Sequence, residues 1–206
     1  MIKERKSRRM TTELPGGPVP PRALRPGLSK PSLSGQLVDL RPIKPTDLPL
    51  IEGWWEEPEA NLLDGGDHDG PSYQFRESFR NRVEKGRERN WMLIEGKQDG
   101  PVGYVLYRTY NDMPGQAEAS LRISRRFWGR GFGGEAFKIF LSHIFHVLQL
   151  DRIWLTVYIF NPRAIRLYER LGFKDEEAFI DEKGLEMLRM GIAREDFLRQ
   201  CTTSQS

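Results

Sequence analysis

From Leu37 onward the apolar positions switch repeatedly between a period of two and a period near 3.6, and those switches predict a chain of alternating strands and helices. Residues 37–41 read as a strand. Thr46 and Asp47 then cap a helix running to about Glu56, with Leu48, Ile51 and Trp55 on one face. Residues 61–72, rich in Gly and Asp, read as a loop, and the spacing of Phe75, Phe79 and Val83 predicts a second helix over 75–85. Three strands follow at 91–94, 102–110 and 117–123. Gly100-Pro101 and Met113-Pro114-Gly115 separate them, which predicts an antiparallel meander. A Gly-rich turn at 129–134 opens a long helix to about Leu148, striped by Phe137, Phe140, Leu141, Ile144 and Leu148. Residues 152–160 form a strand rich in β-branched and aromatic residues. Asn161-Pro162 starts a short helix that Gly172 ends, and strands at 173–179 and 185–192 close the chain as a hairpin about Lys183-Gly184. The expected fold class is α/β, a single domain with a mixed, mostly antiparallel central sheet flanked by helices.

Composition sharpens this picture at the ends. With 206 residues there is room for one full-sized domain, and no uncharged apolar run is long enough to cross a membrane. Residues 1–36 carry eight lysines and arginines against Glu4 and Glu13, so the net charge of +3 for the whole chain leaves the remainder at −3. The same stretch holds six of the fourteen prolines, which predicts a disordered basic arm over 1–36, a folded domain over 37–192 and a polar tail over 193–206. The arm has no continuous apolar segment of a secretory signal. The acidic balance of the domain argues against nucleic-acid binding except through the arm, and it suits a cationic substrate. The single cysteine, Cys201, excludes a disulfide framework and a cysteine-based metal site within one chain; no metal is expected, and a reducing cytoplasm fits.

The densest chemistry lies in Arg125-Arg126-Phe127-Trp128-Gly129-Arg130-Gly131-Phe132-Gly133-Gly134-Glu135, directly after a strand and directly before a helix. Glycines let backbone N–H groups turn outward, and the helix N-terminus favours an anion, so this turn reads as a phosphate or pyrophosphate site, or more plainly as a tight strand-to-helix turn. No Gly-Lys-Ser/Thr follows, which excludes a Walker A loop. The preceding strand belongs to a meander, which argues against a dinucleotide fingerprint. Arg125, Arg126 and Arg130 would supply positive charge beside it.

About thirty residues on comes Asn161-Pro162-Arg163-Ala164-Ile165-Arg166-Leu167-Tyr168-Glu169-Arg170-Leu171-Gly172-Phe173. A strand, a Gly-x-Gly turn, a helix, a strand and then Asn-x-x-Ala-x-x-x-Tyr-x-x-x-Gly-Phe resembles the GNAT superfamily of N-acetyltransferases, over roughly Leu37 to Ile192. In the register on Gly131 and Gly133, Trp128 stands where the family has Gln or Arg. The Trp-Gly-x-Gly form, with Leu40-Arg41-Pro42 and Trp54-Trp55-Glu56-Glu57-Pro58, resembles the branch that acetylates ribosomal-protein N-termini and polyamines. The resemblance implies acetyl-CoA as co-substrate, its pyrophosphate on Trp128, Gly129, Arg130, Gly131, Phe132, Gly133 and Gly134. The pantetheine arm would lie between strands at Leu121 to Ile123 and Leu155 to Val157, with Asn161 touching it or simply capping its helix. Homodimers are common for this fold, and no residue pattern here demands one.

The reaction sets the remaining needs. An alkylamine with pKa near 10.4 is free base to only about one part in 10³ at pH 7, so a carboxylate must take its proton. Glu118, on the strand beside the thioester, is the first candidate. Tyr168 occupies the family's general-acid position, with packing beside Ala164 and Leu171 as its alternative role. Glu56, Glu57, Asp64 and Asp67 cluster on the acceptor side, where they attract a cation or are merely solvated. His68, His143 and His146 read as structural or surface residues. The amine acceptor is a protein N-terminus or a small polycationic amine. The competing class is an acyl-CoA-binding module of the same fold without transferase activity.

Overall fold

The computed structural model describes residues 33–203 apart from Asp67 and Arg89, so the basic arm falls almost wholly outside the described residues. Eight strands form one sheet in the order β1-β2-β3-β4-β5-β6-β8-β7. They are β1 (Leu33–Ser34), β2 (Val38–Pro42), β3 (Trp91–Gly96), β4 (Gly100–Thr109), β5 (Gln116–Ile123), β6 (Arg152–Tyr158), β7 (Lys174–Ile180) and β8 (Glu186–Ala193). Every neighbouring pair is antiparallel except β5 with β6. That exception follows from the chain, because the crossover α4 (Phe132–His143) separates these two strands.

The alternation of the strands splits the core into two layers. On β4, Val105 and Tyr107 face one side with Phe137, Phe140, Leu141 and Ile144, the apolar stripe of the long helix. Tyr104 and Leu106 face the other side with α1 (Leu48–Trp54) and α3 (Tyr73–Glu84), where Ile51, Trp55 and Phe79 are buried. In that second layer Trp55 donates its indole N–H to the Tyr104 hydroxyl at 3.0 Å, and Trp91 packs between Phe79 and Tyr104 at 4.5 and 4.7 Å. Burial pushes the Tyr104 hydroxyl up to about 12, so it stays a neutral partner.

Several local expectations are revised. The Asp47 side chain does not cap α1; its carboxylate receives a bidentate Arg41 at 2.7 and 2.9 Å and the Lys44 N–H at 2.7 Å. Burial would raise its pKa, but these bonds outweigh burial and hold it below the ordinary value. Part of the expected 61–72 loop is the helix α2 (Pro58–Gly65), opened by a first-turn proline and closed by Gly66 in the left-handed region. The long helix ends in a π-helical turn over Ile144–Leu148, and β6 stops at Tyr158 before α5 (Pro162–Arg170). The expected C-terminal tail contains α6 (Arg194–Thr203), whose Phe197 is buried 5.2 Å from Phe145. Three apolar residues, Phe197, Leu198 and Cys201, among ten are too little periodicity to announce a helix.

Glu135 in the first turn of α4 ties the N-terminal hairpin to this core. Its carboxylate accepts the backbone N–H groups of Gln36, Leu37 and Val38 at 2.8, 2.6 and 2.9 Å. Hydrogen bonds to a charged group contribute about 1.5–3 kcal/mol, so Glu135→Ala is expected to lower stability by about 2 kcal/mol. Urea denaturation, read as a shift of the midpoint at unchanged slope, measures it.

Candidate active site

β5 and β6 pair over only three positions, Gln116 with Arg152, Ala117 with Ile153 and Glu118 with Trp154. Beyond Glu118 the two strands are not paired, and a cleft of about 820 Å³ opens there, lined by Ala119 to Ile123 on one side and Thr156 to Tyr158 on the other. Backbone groups on these facing edges have no strand partner, which is what an extended ligand chain needs. Parity sorts the β5 side chains. Ala117 and Ala119 join the layer under α4, and Leu121 and Ile123 approach Gly133 of that helix, while Glu118 and Arg122 face the opposite layer.

The Gly-rich turn stands at the end of this cleft. A 3₁₀ turn (Arg125–Phe127) leads to Trp128, and Gly129 and Gly131 take φ of 77° and 84°, the left-handed region open to glycine. Among the described residues no side chain caps α4, so the first amides of that helix lack a side-chain acceptor. A side chain at Gly133 would meet Leu121 and Ile123 at 3.3 Å, so glycine is what lets the helix start lie against β5. Together the uncapped amides, the bare turn and the unpaired edges fit a long phosphate-bearing thioester such as acetyl-CoA.

Trp128 donates its indole N–H to the Ile123 carbonyl at 2.7 Å and carries the Arg163 guanidinium 3.6 Å from its ring centroid. The aromatic ring in the family's Gln/Arg position therefore brings a cation to the cleft from α5 instead of supplying one itself. Arg130, expected beside the phosphates, is paired bidentately with Asp99 at 2.9 Å over the Phe132 ring and does not line the cleft. Arg125 is bonded to Glu59, and Arg126 lies over Phe127 at 4.4 Å. Gly129, Gly131, Phe132, Gly133 and Gly134 line the cleft, as does Asn161, whose side chain accepts the Ala164 N–H at 3.2 Å as a helix cap.

Tyr168 lies on α5 with its ring 5.5 Å from Phe137 and 5.8 Å from Phe173, and it also reaches the cleft. Burial, assisted by the negative charge of Asp64, pushes its hydroxyl above the usual phenol value, so it holds its proton at neutral pH. Glu118 stands at the fork itself. Its carboxylate accepts the Tyr110 hydroxyl proton, and the Arg108 guanidinium lies 3.7 Å away. Burial and that bond lift Tyr110 to about 12, keeping it the donor.

The acidic segment is mostly engaged within the protein. Glu56 pairs with Arg76, Glu57 accepts the Ser124 hydroxyl at 2.6 Å and the Arg125 N–H at 3.1 Å, and Glu59 takes Arg125. Asp64 lines the cleft, whereas Asp67 lies outside the described residues. His68 approaches the Pro58 carbonyl and His146 the Ser142 carbonyl; among the described residues no three His, Cys, Asp or Glu converge as a metal site. Sequence reasoning missed Arg122, only 5 % exposed, which bonds Asp64 at 2.8 Å, Asn61 at 2.8 Å and the Trp54 carbonyl. A charge between Leu121 and Ile123 in a meander strand was its only signal.

Residues 38–174 match the family model for the acetyltransferase (GNAT) domain. A spermidine N(1)-acetyltransferase of Vibrio cholerae is 27 % identical over 156 residues, covering 73 % of this chain and 84 % of that protein. A spermine/spermidine N(1)-acetyltransferase of Bacillus subtilis is 36 % identical over 86 residues, covering 40 % of this chain and 57 % of that one. Among solved structures, the V. cholerae spermidine N-acetyltransferase in complex with CoA and spermine superposes with a TM-score of 0.67 at 25 % identity, over 79 % of this chain and 98 % of that one. A GNAT acetyltransferase from Bacillus anthracis shares the fold, with a TM-score of 0.68 at 16 % identity, over 80 % of this chain and 99 % of that one.

Gly131→Ala would force a Cβ into the left-handed region, at a cost of about 1–2 kcal/mol, and crowd the turn's amides. The expected outcome is a lower melting temperature together with weaker acetyl-CoA binding by calorimetric titration.

Proposed function

The chain belongs to the GNAT acetyltransferase family and is an N-acetyltransferase that uses acetyl-CoA; from that premise we propose that it transfers the acetyl group directly to a primary amine of a polyamine, with both substrates bound at once. The observation that carries this reading is the fork between β5 and β6, which puts Glu118 and Tyr168 on one cleft. Acetyl-CoA supplies the activated acetyl thioester. The amides of Gly129 to Gly134 and the Arg163 guanidinium would hold its phosphates, and the unpaired edges of β5 and β6 its extended arm.

Glu118 takes the proton of the acceptor ammonium, directly or through a water, and frees the nitrogen lone pair. A backbone N–H on the unpaired edge of β5 meets the charge that develops on the carbonyl oxygen. As the new C–N bond forms and the C–S bond breaks, Tyr168 gives its proton to the departing sulfur and regains one from the acylated nitrogen, while Glu118 passes the first proton to solvent. No acyl-enzyme is needed. Cys201 packs beside the core layer under α4 and does not line the cleft, which supports direct transfer.

The polyamine acceptor rests on the spermidine and spermine acetyltransferases among the relatives. A protein α-amino terminus is the second reading. It is favoured by Arg108, Arg122, Arg170 and Lys183, which line the cleft beside the carboxylates and would suit an amine with carbonyl neighbours.

Thiol release from acetyl-CoA with spermidine, an aminoglycoside and a short peptide tests the assignment. Turnover is expected with spermidine, and turnover with the peptide alone would replace it by the second reading. Tyr168→Phe is expected to lower kcat by about a hundredfold or more with little change in KM, and Glu118→Gln to lower it similarly. Full turnover in either variant removes that residue from the mechanism.

A further inference from the structure

Asp64 and Arg122 take no part in the transfer steps, yet the fold holds them in place from both sides of the fork. Asp64 sits in the last turn of α2. From β5, the Arg122 guanidinium reaches Asp64 Oδ2 at 2.8 Å and is itself braced by Asn61 Oδ1 and the Trp54 carbonyl. Asn61 is fixed in turn, donating to the carbonyls of Trp55 and His68 at 2.9 and 3.1 Å. From the β6 side, Lys183 in the β7–β8 turn donates to the Gly65 carbonyl at 2.5 Å. At Gly66 a Cβ would stand 2.6 Å from Leu185 and 2.7 Å from the Tyr158 hydroxyl, so only glycine lets α2 end against β6 and the hairpin. The α2 terminus is thereby pinned across the opening.

Asp64 is left with an open side. Its side chain is 45 % exposed, it lines the cleft, and among the described residues Oδ1 accepts no hydrogen bond. The walls of the cleft restrict its hydration and lift its pKa to about 6, although Arg122 and Arg163 pull the other way and only Glu57 adds to the rise. Oδ1, open to the cleft, is the position a second cation can take.

We propose that Asp64, braced by Arg122, receives the non-reacting ammonium of the acceptor, so that the site selects diamines and polyamines over monoamines. The inference rests on the amine-acetylation reading and adds a specificity residue to it. Glu118 and Arg122 lie four positions apart on one face of β5, about 13 Å at a rise of 3.3 Å per residue. Glu118 at the fork and Asp64, held by Arg122, are distinct carboxylates on the one cleft, and a flexible aliphatic chain with two charged ends can engage both.

The test compares Asp64→Asn with the wild-type full chain at saturating acetyl-CoA, using spermidine and butylamine as acceptors. Losing one charge-assisted hydrogen bond is expected to raise KM for spermidine roughly ten- to a hundredfold, with KM for butylamine and KM for acetyl-CoA nearly unchanged and any change in kcat, through Tyr168, equal for both amines. In the wild type, KM for spermidine is expected to rise as pH falls through about 6, because protonation removes the anchor, and the variant is expected to lose that dependence. The groups facing Asp64 are Arg122 from β5, Tyr104 from β4, Arg163 and Tyr168 from α5 and Glu57 before α2; of these only Glu57 is a carboxylate, and it is already bonded to Ser124. An equal KM rise for both amines, or an unchanged KM for spermidine, overturns the proposal. If the wild type acetylates no amine, the transfer reading fails, and calorimetric titration of spermidine into both proteins with acetyl-CoA decides the anchor separately. Weaker binding in Asp64→Asn then supports it, and equal binding overturns it.

Discussion

The parallel contact between β5 and β6 ends at Glu118 and Trp154, and the rest of the architecture is arranged around that ending. A sheet with unpaired edges in its interior leaves backbone donors and acceptors unsatisfied, which is costly unless water or a ligand meets them. Here one core layer under α4 spans both halves of the sheet and holds them together across the gap. That layer runs from Leu40, Ile94, Val105 and Ala119 through Phe137 and Phe140 to Ile153, Leu155, Met190 and Ile192, while the Trp55, Phe79, Trp91 and Tyr104 cluster covers the other face of β3 and β4. The sheet is held across the fork by this shared core and not by strand pairing, so the fork can be kept for chemistry.

The turn at the head of α4 shows how a departure from a family pattern can be absorbed. The indole of Trp128 cannot replace an amide or a guanidinium as a phosphate ligand, but its face accepts Arg163 and its N–H secures the end of β5. The cation is delivered from α5 and the strand terminus is fixed in the same stroke. Arg130, nearest in sequence to the glycines, is instead spent on Asp99. Position along the chain was a poor guide to which arginine faces the cleft, because the left-handed glycines reverse the backbone on either side of it.

Most of the fold was legible because its elements announce themselves locally. The meander, the Gly-rich turn, the Asn161-Pro162 helix and the terminal hairpin all carry turn residues or strong periodicity, and each appears within a few residues of its expected bounds. α2 and α6 did not announce themselves. The first is an eight-residue helix whose end merges into a Gly- and Asp-rich stretch, and the second is anchored by Phe197. At the site, the glycines could be named from the turn and Tyr168 and Glu118 through the resemblance to the family, and all of them line one cleft, whereas the sorting of carboxylates could not be read. Glu56, Glu57, Glu59 and Asp64 look alike in sequence, and only tertiary contacts with Arg76, Ser124, Arg125 and Arg122 separate the structural ones from the one that lines the cleft.

The parity of β5 has a further consequence for how this protein can change. Leu121 and Ile123 meet the glycines of α4, whereas Glu118 and Arg122 look toward α1 and α2. Substitutions on alternate residues of one strand therefore fall on different layers. On the proposed reading, a lineage could re-tune which amine is admitted by drift at even-numbered positions and at the end of α2, leaving the odd-numbered positions against α4 untouched. Evolvability of the acceptor, with the turn and its helix held constant, would then lie in the pleat of a single strand.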